Sequence, residues 1–152
     1  MYKRQVLEDY FQRPRGACLT VYENPLGGRV AVMGYAPWMF VHSGAKRCQL
    51  LDIADWISRE ALPVRIQETV PLVPLVRLAP DRSRGAVVLL NTGLEKIATA
   101  TLHLRVPDLP VHLATPEGVV EVEPQRREDG LWVELHEVEA WTTVCLLLGS
   151  RP

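Results

Sequence analysis

"GAVVLLNTGLEKIATATLHLRV", residues 85–106, decides how this chain folds. Its first seven residues form a short continuous apolar run, which fits a strand covered on both faces. The turn formers "NTG" at 91–93 close that run. From Ile97 onward the polarity alternates. Ala98, Ala100, Leu102, Leu104 and Val106 share one face, and Thr99, Thr101, His103 and Arg105 share the other. A period of two predicts a strand with one face in a core and the other in water.

Working outward, the same period recurs downstream in "VVEVE" around Val120 and Val122, and in "LWVEL", where Leu131, Val133 and Leu135 point together. A last short apolar piece, "WTTVCLLLG", spans 141–149. Turn signals, "TPEG" at 115–118 and "EDG" at 128–130, separate these strands. Several short strands at this spacing predict an antiparallel sandwich. Upstream, residues 64–78 contain Pro71 and Pro74, which suits an extended edge or a connecting segment and forbids a long helix.

Before residue 64 the pattern differs. "ACLTVYE" (17–23) and "RVAVMGY" (29–35) are strand-like, and "NPLGG" between them has the length and chemistry of a hairpin loop. Gly27 and Gly28 can take the positive φ that closes such a turn. A phosphate cradle would need these glycines to lead from a strand into a helix N-terminus, and here they precede a strand. Next, "SGAKRCQLLDIADWISREALP" (43–63) places Leu50, Ile53, Ala54, Ile57 and Ala61 at helical spacing. Lys46, Arg47, Asp52, Asp55 and Arg59 supply its polar side, Trp56 is read as packing, and Pro63 ends it. The predicted class is α+β, mainly β: an antiparallel β-sandwich preceded by a short β-hairpin and one amphipathic helix. Residues 1–16 are a polar lead-in, 17–63 a partial α/β unit, and 64–152 the sandwich, with the boundary within 63–75.

Composition narrows the function. At 152 residues the chain can bury roughly two thirds of its unfolded surface. Seventeen basic and eighteen acidic residues give a net charge of -1, which provides no field for nucleic acid or an anionic membrane. Three cysteines, odd in number and far apart, argue for a reducing compartment, and no signal-peptide run or membrane span is evident; the expected location is the cytoplasm.

Catalytic signatures are lacking. Cys18 lacks a nucleophile elbow, Cys145 lies in an apolar strand and both read as core, while nothing in the flanks of Cys48 singles it out. His42, His103, His112 and His136 form no metal-binding spacing, although Glu134 and His136 can meet on the solvent side of a strand. No metal or cofactor is expected. Glu117, Glu121, Glu123, Glu134, Glu137 and Glu139 read as a solvated face. Tyr35, Trp38 and Phe40 follow a strand in "GYAPWMF", where Pro37 implies a loop. Tyr35 and Trp38 are the candidate saccharide-binding residues; the same aromatics could instead pack against another domain.

In order and pattern, "ENPLGGRVAVMGYAPW", "LLDIADWISREALP", "GAVVLLNTGLEKIATATLHL" and "LWVELHEVEAWTTVCLLLG" resemble the C-terminal region of bacterial β-galactosidase-like glycoside hydrolases. The resemblance covers residues 17–149. It implies the end of an α/β domain related to glutamine amidotransferases, followed by a small terminal β domain, with Asn91 ending one of its strands. The acid and nucleophile of such enzymes belong to an upstream barrel, so no catalytic residue carries over. What it implies is a non-catalytic accessory domain in carbohydrate metabolism, packing against an upstream glycosidase-like domain or an oligomer partner. Its packing face would be the even-numbered residues from Ala98 to Val106. The alternatives are a carbohydrate-binding module and a small stand-alone hydrolase.

Overall fold

The computed structural model describes residues 2–8, 10–36 and 43–149, with residues 2–7 as backbone only. The chain divides into two compact units, Met1–Ala61 and Leu62–Pro152. Strands dominate both, and one helix occurs among the described residues.

The first unit is a three-stranded antiparallel sheet in sequence order, β1 (Tyr2–Glu8), β2 (Pro14–Glu23) and β3 (Arg29–Met33), followed by helix α1 (Gly44–Ile57). The polar lead-in expected over residues 1–16 therefore holds a strand and the start of another. The hairpin between β2 and β3 closes as its sequence predicts. Asn24 N donates to Gly28 O at 2.9 Å, and Gly27 takes the positive φ of +83°. Gly28 serves differently: its N–H donates to Asn24 Oδ1 at 2.8 Å.

Helix α1 is shorter than the predicted 43–63 and buries only part of the predicted stripe. Ile53 and Asp55 are its buried residues, while Ala54 and Ile57 are exposed. It stops well before Pro63 because Arg59 and Glu60 both turn left-handed, at φ 58° and 61°. Arg59 N then donates to Trp56 O and Glu60 N to Asp55 O, the paired bonds of a Schellman C-terminus. Arg29 ties the sheet to this end of the helix. Its Nη1 donates to Trp56 O at 2.6 Å, its guanidinium carbon lies 5.1 Å from the Trp56 ring centroid, and its Nε is 3.2 Å from the Glu23 carboxylate.

The second unit is the sandwich. One sheet has four strands in the order β10 (Gln125–Arg127), β11 (Gly130–Val138), β7 (Ile97–Leu104), β4 (Val64–Ile66). The other has five, β5 (Leu72–Leu78), β6 (Gly85–Asn91), β12 (Thr143–Leu148), β8 (Val111–Thr115), β9 (Gly118–Val122). β4 and β5 are both edge strands, and β5 carries Pro74, whose missing N–H is tolerated there. Leu102, Leu104, Leu131 and Val133 from the first sheet meet Val87, Leu89, Val111 and Leu146 from the second in one core. All eight are buried, so at these positions the inward faces of the two sheets are spent on each other.

This placement corrects the expected packing face. Ala100, Leu102, Leu104 and Val106 lie inside the sandwich's own core and meet no other protein, while Ala98 is exposed. The alternation fails at Ala98, opposite Glu137, whose left-handed φ of 57° breaks the extended backbone of β11 while the register with β7 continues unshifted. Beyond that break Ile97 and Val138 turn inward together.

Candidate functional site

Surfaces left over by this core are the places where the protein can act. In an antiparallel sheet with one face on a core, the other normally carries polar side chains. The five-stranded sheet does not follow that rule. The register sets Val73 and Leu75 of β5 beside Val88 and Leu90 of β6, and these in line with Cys145 of β12. Leu147, His112 and Ala114 extend the same outward face. Leu75 is 60% exposed and Val73 is also exposed, while Val88, Leu90, Cys145 and Leu147 are half-buried. The middle of the face is apolar across β5, β6, β12 and β8, with Arg77 and Glu121 at its two edges and Thr143 at one end. His112 is buried within it, and its Nδ1 has no hydrogen-bond partner there.

The first unit repeats the feature on a smaller scale. Leu19 and Arg29 face the helix; by strand parity Tyr22, Val30 and Val32 point the other way, and all three are exposed.

The outer face of the four-stranded sheet is polar and internally satisfied. His103, expected in water, is only 4% exposed because Trp132 stacks on it with ring centroids 4.6 Å apart. Arg127 covers the ring from 4.3 Å, and Trp132 Nε1 donates to Asp129 Oδ1 at 3.0 Å, a hydrogen bond that holds the Asp129 carboxyl below its ordinary range. His103 Nε2 contacts Asp129 O at 2.8 Å. This cluster was not legible beforehand, because β10 and the β7–β11 pairing bring its members together. The one available signal was "REDGLW", a hairpin turn leading into a tryptophan.

The thiols do not form a chemical site in this arrangement. Cys145 faces outward rather than into the core, since Leu146 and Leu148 take the inward parity; Cys18 is likewise half-buried and Cys48 is exposed. Glu134 and His136 meet on the solvent side as expected, 3.9 Å apart, and the six glutamates read as a solvated face, Glu117 to Glu139, are all exposed. Among the described residues no group of three or more His, Cys, Asp or Glu could hold a metal ion, and no helix is long and apolar enough to cross a membrane. Tyr35 donates its hydroxyl to Gln49 Oε1 at 2.6 Å, and Lys46 Nζ lies 4.9 Å from its ring centroid. Trp38, Phe40 and His42 lie outside the described residues.

No family model matches this chain, and no curated protein does. Among solved structures it is similar to α-L-fucosidase isoenzyme 2 from Paenibacillus thiaminolyticus, with a TM-score of 0.61 and 11% identity. The similarity covers 93% of this chain and 23% of the fucosidase chain, so this chain spans less than a quarter of that protein's length. At this identity the likeness is one of fold: the chain folds like a segment of a bacterial glycoside hydrolase.

Proposed function

We propose that this chain is a non-catalytic accessory module of a β-galactosidase-like glycosidase, acting in the cytoplasm by bracing other protein. The observation that carries this reading is the apolar outer face of the five-stranded sheet. A sheet that is apolar on both sides must be covered on both to avoid association at random. The fold likeness to a segment of a longer glycoside hydrolase supports the same reading, because there the fold occurs within a much larger chain. The occupant of the face is an upstream glycosidase-like domain or a second copy, and the module itself makes and breaks no bonds.

The test has two arms. The purified chain is incubated with chromogenic α-L-fucosides and β-D-galactosides, and its association, with itself and with any glycoside-hydrolase catalytic domain that neighbouring sequence encodes, is read by light scattering. The expected result is no turnover, together with an association that Leu75→Glu combined with Val88→Glu abolishes. Turnover by the isolated chain, or an association indifferent to those charges, overturns the reading. A saturable change in tryptophan fluorescence on adding saccharides, lost in Trp38→Ala, would establish a carbohydrate-binding module instead.

A further inference from the structure

The two sheets of the sandwich do not match in width at one corner. Strand β10 is three residues long and pairs with Gly130, Leu131 and Trp132 at the start of the nine-residue β11. Residues 133–138 of β11 pair with β7 on one side and with no described strand on the other. Opposite this gap the inner face of the five-stranded sheet is uncovered. Val120 is 56% exposed and Leu113, Val122 and Val144 are half-buried, although strand parity points them inward like the fully buried Val111 and Leu146. A cleft of about 470 Å³ lies there, floored by Leu113, Val122 and Val144 and walled by Leu135 and Val138 of β11.

We propose that this cleft receives an extended, basic segment of a partner protein, which adds to the free edge of β11 in line with β10. Main-chain pairing with a strand edge supplies affinity, and alternate side chains supply the choice of partner. One set of side chains of such a segment would point inward onto Leu113, Val122 and Val144, and must be apolar. The other set would lie beside the outward-facing Glu134 and His136. The rim carries Glu134, Glu137 and Glu139, and no Lys or Arg lines the cleft. Lys96 pairs with Glu137, which leaves Glu134 and Glu139 to face the occupant's cations. Charge complementarity therefore selects lysine or arginine at alternate positions.

Two further observations fix the geometry. The left-handed backbone at Glu137 breaks the extended run of β11, so pairing extends over residues 133–136 and stops there. A second copy of this chain fits poorly through its own β11, because both sets of carboxylates would meet with no Lys or Arg in either cleft. The inference is separate from the accessory reading, which rests on the opposite face of the five-stranded sheet.

The experiment uses the full chain and a fluorescein-labelled heptapeptide alternating lysine and valine, followed by anisotropy at low salt, with hydrogen exchange to locate it. Saturable binding with slowed exchange at residues 133–136 is expected. The double variant Glu134→Lys, Glu139→Lys, at exposed positions whose change circular dichroism should not register, weakens binding by about tenfold or more. A peptide N-methylated at alternate residues, which cannot pair along one edge, fails to bind. The proposal is overturned if a glutamate–valine peptide or the N-methylated peptide binds as well. It is equally overturned if exchange in β11 does not change, or if the edge becomes protected by concentration-dependent dimerisation without peptide.

Discussion

Asn91 offers the most direct test of how the sandwich's two sheets are tied together beside this cleft. Its side chain is fully buried, and its Nδ2 lies 3.1 Å from Glu95 O, 3.1 Å from Val138 O and 3.0 Å from Glu139 O. Its Oδ1 accepts from Gly93 N at 2.9 Å. An amide has two N–H groups, so the three carbonyls share two hydrogens and the side chain makes about three bonds in all. Asn91→Ala removes these at about 1 kcal/mol each and leaves the buried Val138 carbonyl without its donor, a further cost of about 1–2 kcal/mol. The expected loss is about 3–5 kcal/mol, a large part of a typical domain's stability of about 5–15 kcal/mol. Asn91→Asp has the same shape but sets a carboxylate against three carbonyl oxygens. Burial and those oxygens raise its folded pKa above the unfolded value of about 3.9. Its penalty should therefore be smallest below about pH 4 and grow as pH rises towards the folded value. Urea unfolding at pH 4 and pH 7, with hydrogen exchange of the β6 and β11 amides to read this unit by itself, measures both effects. A loss below about 1 kcal/mol for Asn91→Ala, or a pH-independent penalty for Asn91→Asp, refutes the account.

Three further outcomes are expected. Burial by itself would raise the Glu68 pKa, but Thr101 outweighs it by donating its Oγ1 and N–H to the carboxylate, each at 2.7 Å, and holds it below the ordinary range. Stability from Glu68 is thus present above the unfolded carboxylate pKa of about 4.3 and lost as pH falls through the lowered folded value, so Glu68→Gln should flatten the acid limb of a stability–pH curve. Gly130→Ala combines a φ of +136° with a Cβ only 2.4 Å from Leu104 O, and should cost about 2–4 kcal/mol in thermal or urea unfolding. Leu75→Lys, on an exposed apolar face, should change stability by less than about 0.5 kcal/mol while reducing self-association in sedimentation.

Much of the fold was legible because period-two patterning and turn chemistry are local. "NPLGG" closes its hairpin, Leu131, Val133 and Leu135 turn inward together, and Pro74 sits in the edge strand β5. Local signals also misled. Of the predicted helix stripe Ile53 is buried, but Ala54 and Ile57 are exposed, since the sheet meets the helix on the side where Arg29 reaches Trp56. His103 counted as solvent-facing because nothing near it in sequence reveals that Trp132 closes over it from another strand.

The amino-acid order alone determined which residues alternate, where the chain turns, and that two apolar faces would have to meet. Tertiary structure alone decided which apolar residues were used up in that meeting. Ala100, Leu102 and Leu104 vanish into the sandwich, whereas Val73, Leu75 and Leu147 remain on its outside with the same composition and period. The physical reason is that alternation divides a strand into two sides, and only the non-local pairing of strands settles which side finds a partner.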